Sequence, residues 1–186
     1  MRLLEDPSQH HRLVPPSLDD VKQTWRALGL TEEQVWPIMQ VGQTAAMSCW
    51  VVSAGMATGR NASMAGPGVE WDTDTSLSTF GGLPLSAENM GAYARANGMR
   101  LLGALPADVG ALRAHVARGP CILVGDWISG GSHVVVISGL YWASLYASMI
   151  RIHDPAPMGR GSIAVTDFPT MELSGGAFTP TDLIVR

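Results

Sequence analysis

Four residues of this chain have the types and order needed for nucleophilic chemistry: Gln43, Cys49, His133 and Asp154. Cys49 opens the apolar run Cys49-Trp50-Val51-Val52, which reads as the first turn of a helix. A helix N-terminus carries unsatisfied N–H groups and a partial positive charge, and both favour thiolate over thiol. Gln43, in the preceding loop, brings a side-chain amide that can donate a hydrogen bond beside the cysteine. Together with the backbone N–H of Cys49 it makes a candidate oxyanion hole. His133 begins the apolar segment His133-Val-Val-Val-Ile and can act as a base. Asp154 closes the segment Ile150-Arg-Ile-His-Asp154 and can orient that base.

The elements that must position these groups can be argued from pattern. Segments 133–140 and 147–154 have no room between them for a crossover helix, so they are expected to pair as an antiparallel hairpin. A turn centred on Ala143 and Ser144 would set His133 directly opposite Asp154. Cross-strand neighbours on one face lie about 4.5–5.5 Å apart at Cβ, which suits a carboxylate accepting an imidazole N–H. His133, Val135 and Ile137 then share one face, and so do Asp154, Ile152 and Ile150. A slip of one residue would destroy the match.

Each of these residues has a competitor or a plainer reading. Gln40 is a second glutamine near Cys49. His153 is a rival base, although its neighbour Asp154 points to the other face of the strand. His10 and His11 fall in the N-terminal tail, and His115 on an exposed helix face. Cys121, in Gly-Pro-Cys-Ile-Leu-Val-Gly, reads as a small buried hydrophobe on a strand. Two cysteines make no disulfide framework, and a bridge between them would disable the site. Trp71 and Trp127 are candidate substrate-binding residues. For them, as for Trp142, core or loop packing is the alternative. No Cys-x-x-Cys or His-Glu-x-x-His motif occurs, so no metal site is expected. No Gly-rich phosphate loop follows a strand, so no cofactor is expected either.

Along the rest of the chain, residues 1–16 read as a flexible lead-in and 17–186 as a single domain. Ser17 caps an expected helix with Leu18, Val21, Trp25 and Leu28 on one face, closed by Gly29. Thr31-Glu-Glu-Gln34 has the form of a capping box and predicts a second short helix before Pro37. The Cys49 helix is expected to run to about Gly59. The segment 60–85 is rich in Gly, Ser, Asp and Thr, and predicts a long irregular stretch bordering a substrate cleft. Helices follow over 86–97 and 106–118, with a short strand over 101–105 between them. Strands are predicted over 121–127, 133–140, 147–153, 162–166 and 182–185. Helices first and antiparallel strands after give an α+β class, with the helices on one side of the sheet.

Gln-x5-Cys-Trp, then a histidine opening an apolar strand, then Asp-Pro ending the next strand, resembles the papain-like cysteine peptidases. The compact bacterial branch, with its secreted effector proteases and bacteriocin-leader peptidases, is the nearest in pattern. The resemblance covers about residues 36–168. It implies a papain-like fold in which N-terminal helices, the nucleophile helix among them, pack on an antiparallel sheet. It also implies a Cys49–His133–Asp154 triad with Gln43 in the oxyanion hole, acting on a polypeptide substrate. Many members carry Asn in the third role, whereas Asp is common in the effector and bacteriocin-processing branch. Trp50 resembles the family's helix tryptophan and is read as packing. An effector or toxin domain of this kind would be made in a bacterial cytoplasm and exported by a dedicated machine without a cleavable signal. An immunity or inhibitor protein is then a partner to test for. Two alternatives stay open: a cell-wall peptide amidase of the related cysteine/histidine superfamily, and an inactive binding module of the same fold.

Bulk properties fit a globular chain. It has 186 residues, within the range of one domain, and 21 are glycine. Its formal charge of −4 does not suggest a nucleic-acid partner. No apolar run approaches the roughly 18 residues of a membrane span. The opening Met-Arg-Leu-Leu-Glu-Asp-Pro is too short and too charged to read as a secretory signal.

Overall fold

The computed structural model describes residues 31–43, 47–59, 86–144 and 147–186. The lead-in over 1–16, the helix expected from Ser17, and segment 60–85 with Trp71 lie outside the described residues. Among the described residues there are three helices: α1 (Cys49–Thr58), α2 (Ala87–Ala96) and α3 (Val109–Val116). The strands are β1 (Thr31–Val35), β2 (Arg100–Leu101), β3 (Cys121–Trp127), β4 (Ser132–Ser144), β5 (Ala147–Asp154), β6 (Ser162–Thr166), β7 (Met171–Leu173) and β8 (Gly176–Val185). They form one sheet in the order β2-β8-β3-β4-β5-β6, with β1 paired to β4 and β7 to β8. Every pairing is antiparallel.

The sheet is buried on both faces, and its strands show why. β3 begins Cys121-Ile-Leu-Val, a continuous apolar run in which all four residues are inaccessible, as expected of a strand covered on both sides. Ile122 and Val124, with Val134 and Val136 of β4, pack against α1 and α2. Cys121 and Leu123, with Val135 and Ile137, pack against α3. The helices therefore lie on two faces, not on one as the order of elements suggested. Side chains alternate along a strand, so uninterrupted apolar runs need cover on each side.

The helix starts follow local chemistry. Ser86 Oγ accepts from Asn89 N at 3.2 Å ahead of α2. Asp108 Oδ1 accepts from Ala111 N at 2.8 Å ahead of α3. Both satisfy N–H groups that a helix leaves unpaired at its start.

Thr31-Glu-Glu-Gln34 does not form the expected helix; it belongs to β1. β4 is 13 residues long and outruns β3, whose pairing with it ends at Ile137. β1 continues that edge from Gly139 to Trp142. A row of unpaired backbone N–H and C=O groups on a long strand is a stronger demand than a local capping pattern. The strand expected over 101–105 is reduced to β2.

The β4–β5 hairpin forms, but in a different register. Val136 faces His153 and Ile137 faces Ile152, with irregularities between Ile137 and Gly139 and between Trp142 and Ser144. His133 therefore sits diagonally from Asp154, two residues beyond direct opposition. The displacement is even, so the two side chains keep the same face.

Candidate active site

α1 carries no acidic or basic residue in its end turns, and Cys49 to Ala57 are all buried. A helix apolar on all sides belongs in a core. Its placement on the sheet is fixed by a polar contact: Ser53 Oγ donates to Val134 O at 2.8 Å. Ser53 lies one turn after Cys49, and Val134 follows His133. This bond therefore sets the register of the cysteine against the histidine. Tyr93 of α2 supports the same turn, donating from its hydroxyl to Trp50 O at 2.5 Å. Its ring meets Trp50 edge-on at 5.9 Å. Burial, and next the charge of Cys49, push the Tyr93 phenol well above its ordinary pKa, so it stays neutral.

His133 is 5% exposed. Its Nε2 lies 2.7 Å from Asp154 Oδ1, which leaves Nδ1 for the hydrogen bond to Cys49. The pKa of His133 is pushed up to about 9. Burial, the largest single influence, acts downward. The hydrogen bonds to Asp154 and Cys49 and the charges of both outweigh it together. The cationic form of the imidazole is thus favoured.

Asp154 is fully buried and its acceptor sites are filled. Oδ1 accepts from Ala156 N at 2.7 Å as well as meeting His133, and Oδ2 accepts from Ser174 Oγ at 3.1 Å. Trp127, half-buried, stacks on His133 with ring centroids 5.1 Å apart and planes at 28°. Phe178 meets both rings edge-on, 6.5 Å from His133 and 5.3 Å from Trp127. The candidate substrate tryptophan at 127 is therefore a wall of the histidine's pocket.

Gln43 is buried, and its backbone is tied to the loop that follows Asp154. Its N–H donates to Pro155 O at 2.9 Å, and its carbonyl accepts from Gly159 N at 2.8 Å. Gln40 has a different task. Its Nε2 donates to Asp154 O at 2.8 Å, and its Oε1 lies 2.8 Å from His153 Nδ1. It fastens the loop before Cys49 to the end of β5.

The rival base His153 is fully buried. Burial first, and Arg151 second, lower its pKa to about 3. With Nδ1 donating to Gln40, it is a neutral structural histidine. Cys121 is equally inert, its thiol raised to about 12 by burial. Ser53, Ser174 and Phe178 gave no signal in the sequence, because their partners are brought to them only by sheet topology. Among the described residues no group of His, Cys, Asp and Glu could hold a metal ion.

A buried imidazole–carboxylate pair on an antiparallel sheet, reached by a thiol from the first turn of a packed helix, is consistent with the papain-like class of cysteine peptidases. The family described as papain-like cysteine protease AvrRpt2 matches residues 31–172, and the chain belongs to that family. It is accordingly a cysteine protease, a hydrolase of peptide bonds. No curated protein matches the chain.

Proposed function

We propose that the chain is a cysteine endopeptidase in which Cys49, His133, Asp154 and Gln43 carry the reaction. The observation that supports this most is the raised His133, hydrogen-bonded to both Cys49 and Asp154. In this reading Cys49 attacks the scissile carbonyl carbon as a thiolate. The oxyanion that forms is stabilised by the Cys49 N–H and the Gln43 amide. His133 gives its proton to the leaving amine, and the acyl-enzyme forms as the C–N bond breaks. His133 then takes a proton from water, which attacks the thioester, and Cys49 leaves as thiolate. Asp154 holds the ring orientation and the charge throughout.

The substrate is a polypeptide. Exposed apolar residues on nearby loops, Met47 before Cys49, Ile128 after Trp127 and Met158 beside the Gln43-anchoring loop, suit apolar side chains of such a substrate. The family's name supports a role as a bacterial effector. Export from the producing cell by a dedicated secretion system, and control by an inhibitor or immunity protein, belong to this proposal and rest on that likeness alone.

The test is N-terminal profiling of a target proteome after expression of the wild-type chain and of Cys49→Ala, with purified peptidoglycan as a parallel substrate. New protein N-termini that need Cys49 are expected. Cleavage of stem peptides alone would make the chain a wall amidase. No Cys49-dependent cleavage of either would leave an inactive module.

A further inference from the structure

We infer that Ser174 is a positioning residue for the reaction, holding the Asp154 carboxylate on His133 from the β7–β8 turn. The inference rests on the proposed roles of His133 and Asp154, and it concerns a position beyond the family match, which ends at residue 172.

Both other contacts of the Asp154 carboxylate fall on one oxygen. His133 Nε2 and Ala156 N meet Oδ1, and the Ser174 hydroxyl alone is found at Oδ2 among the described residues. A carboxylate bound only through Oδ1 can pivot about that oxygen, and the plane it offers His133 changes as it does. A second donor at Oδ2 stops the pivot. Ser174 is exposed while Asp154 is fully buried, so the serine stands between the carboxylate and water. Its loss would either free the carboxylate to turn or admit water beside it. Turning lengthens the bond to His133, and water screens the charge. Both weaken the hold of Asp154 on the imidazolium.

The next residue adds a second constraint on the same histidine. A Cβ on Gly175 would lie 2.9 Å from Cη2 of Trp127, and 3.0–3.1 Å from two neighbouring atoms of that ring. Only a residue with no side chain lets Trp127 lie against the turn while it stacks on His133. Two adjacent residues thus support the pair, one through the carboxylate and one through the indole.

The test uses the full chain and needs no knowledge of the substrate. Iodoacetate, an anionic alkylating reagent, reacts fastest with a thiolate beside a cation. Its rate at Cys49, mapped by mass spectrometry, should hold to about pH 9 and fall as His133 loses its proton. The charged groups acting on His133 are Cys49 from α1 and Asp154 from β5. In Ser174→Ala this alkaline limb should move down by about half a pH unit or more, as expected for a weakened hydrogen bond to a charged group. Ser174→Thr, which keeps the hydroxyl, should restore it. A limb in Ser174→Ala that coincides with wild type, or one that Thr fails to restore, overturns the assignment while leaving the triad standing. A wild-type profile with no alkaline limb, or one that His133→Ala does not change, overturns the triad and this inference with it.

Discussion

Replacing Gly125 by alanine should damage both the stability of the sheet and the pocket around His133. Gly125 faces His133 across the β3–β4 ladder and Pro180 across β3–β8. An added Cβ would meet Cζ and Cε1 of Phe178 at 2.6 and 2.8 Å, and would press on the Thr179 carbonyl. Carbon atoms rest at about 3.5–4.0 Å, so the ring must retreat by about 1 Å from a site where it is 2% exposed. Overpacking of this kind costs about 1–3 kcal/mol. For a domain of this size that lowers Tm by roughly 2–12 °C. Phe178 packs on His133 and Trp127, so alkylation of Cys49 at neutral pH should slow as well. Thermal unfolding and the alkylation rate are measured on one preparation. Adding Phe178→Leu should recover part of the loss in stability but not all, because the backbone contact with Thr179 remains. If Gly125→Ala unfolds within about 0.5 kcal/mol of wild type and its thiol reacts normally, the close packing argued for this face is wrong.

Four further outcomes are expected. Cys49 should be labelled in the native protein by an epoxide-type thiol inhibitor while Cys121, raised to about 12 and inaccessible, is spared; peptide mapping that finds Cys121 first refutes the assignment. Cys49→Ala and His133→Ala should each abolish turnover with circular dichroism unchanged, whereas His153→Gln should keep turnover. Gln43→Ala should lower kcat by about 10²–10³, the usual effect of losing one oxyanion donor; a loss below tenfold would remove Gln43 from that role. Stability should also depend on pH through two histidines of opposite sign. His133, raised from 6.5 to about 9, contributes stability that is full below pH 6.5 and lost as pH rises to 9. His153, lowered from 6.5 to about 3, destabilises the fold as pH falls from 6.5 toward 3. Urea unfolding across this range should show the acid-side loss flattened in His153→Gln, and an unchanged acid side would count against its burial as a neutral ring.

The parts of this structure that could be read from sequence are those written in local apolar pattern. β3 and β6 begin and end at the expected residues, because turn-forming residues bound each run. The common face of His133 and Asp154 followed from parity, which survives any even displacement. Their register did not, because Ser144 pairs with Ala147, so the strands reverse two residues later than a turn centred on Ala143 and Ser144 assumes, and two irregularities recover only part of that shift. β1 was misread as helix because its pairing edge is supplied by residues over 100 positions away. The first half of β8 was missed because Pro180 argues against a central strand. It is accommodated at the register shift between Val124 and Gly125. Ser174 illustrates the limit: a serine before two glycines reads as a turn, and nothing in that motif names a carboxylate twenty residues earlier.

The place of β8 has a consequence for the order in which the molecule can become competent. Among the described residues β8 follows every other strand in chain order, yet it lies inside the sheet, between β2 and β3. Translation supplies Cys49, His133 and Asp154 well before it supplies Ser174, Phe178 and the strand that carries them. A nascent chain halted near residue 170 holds all three of these proposed reacting groups, but it has no donor for Asp154 Oδ2, no Phe178 ring beside Trp127 and an open edge on β3. β8 therefore closes the pocket only after the groups around it have been made, and a protease built in this way is delayed until that strand has been synthesised.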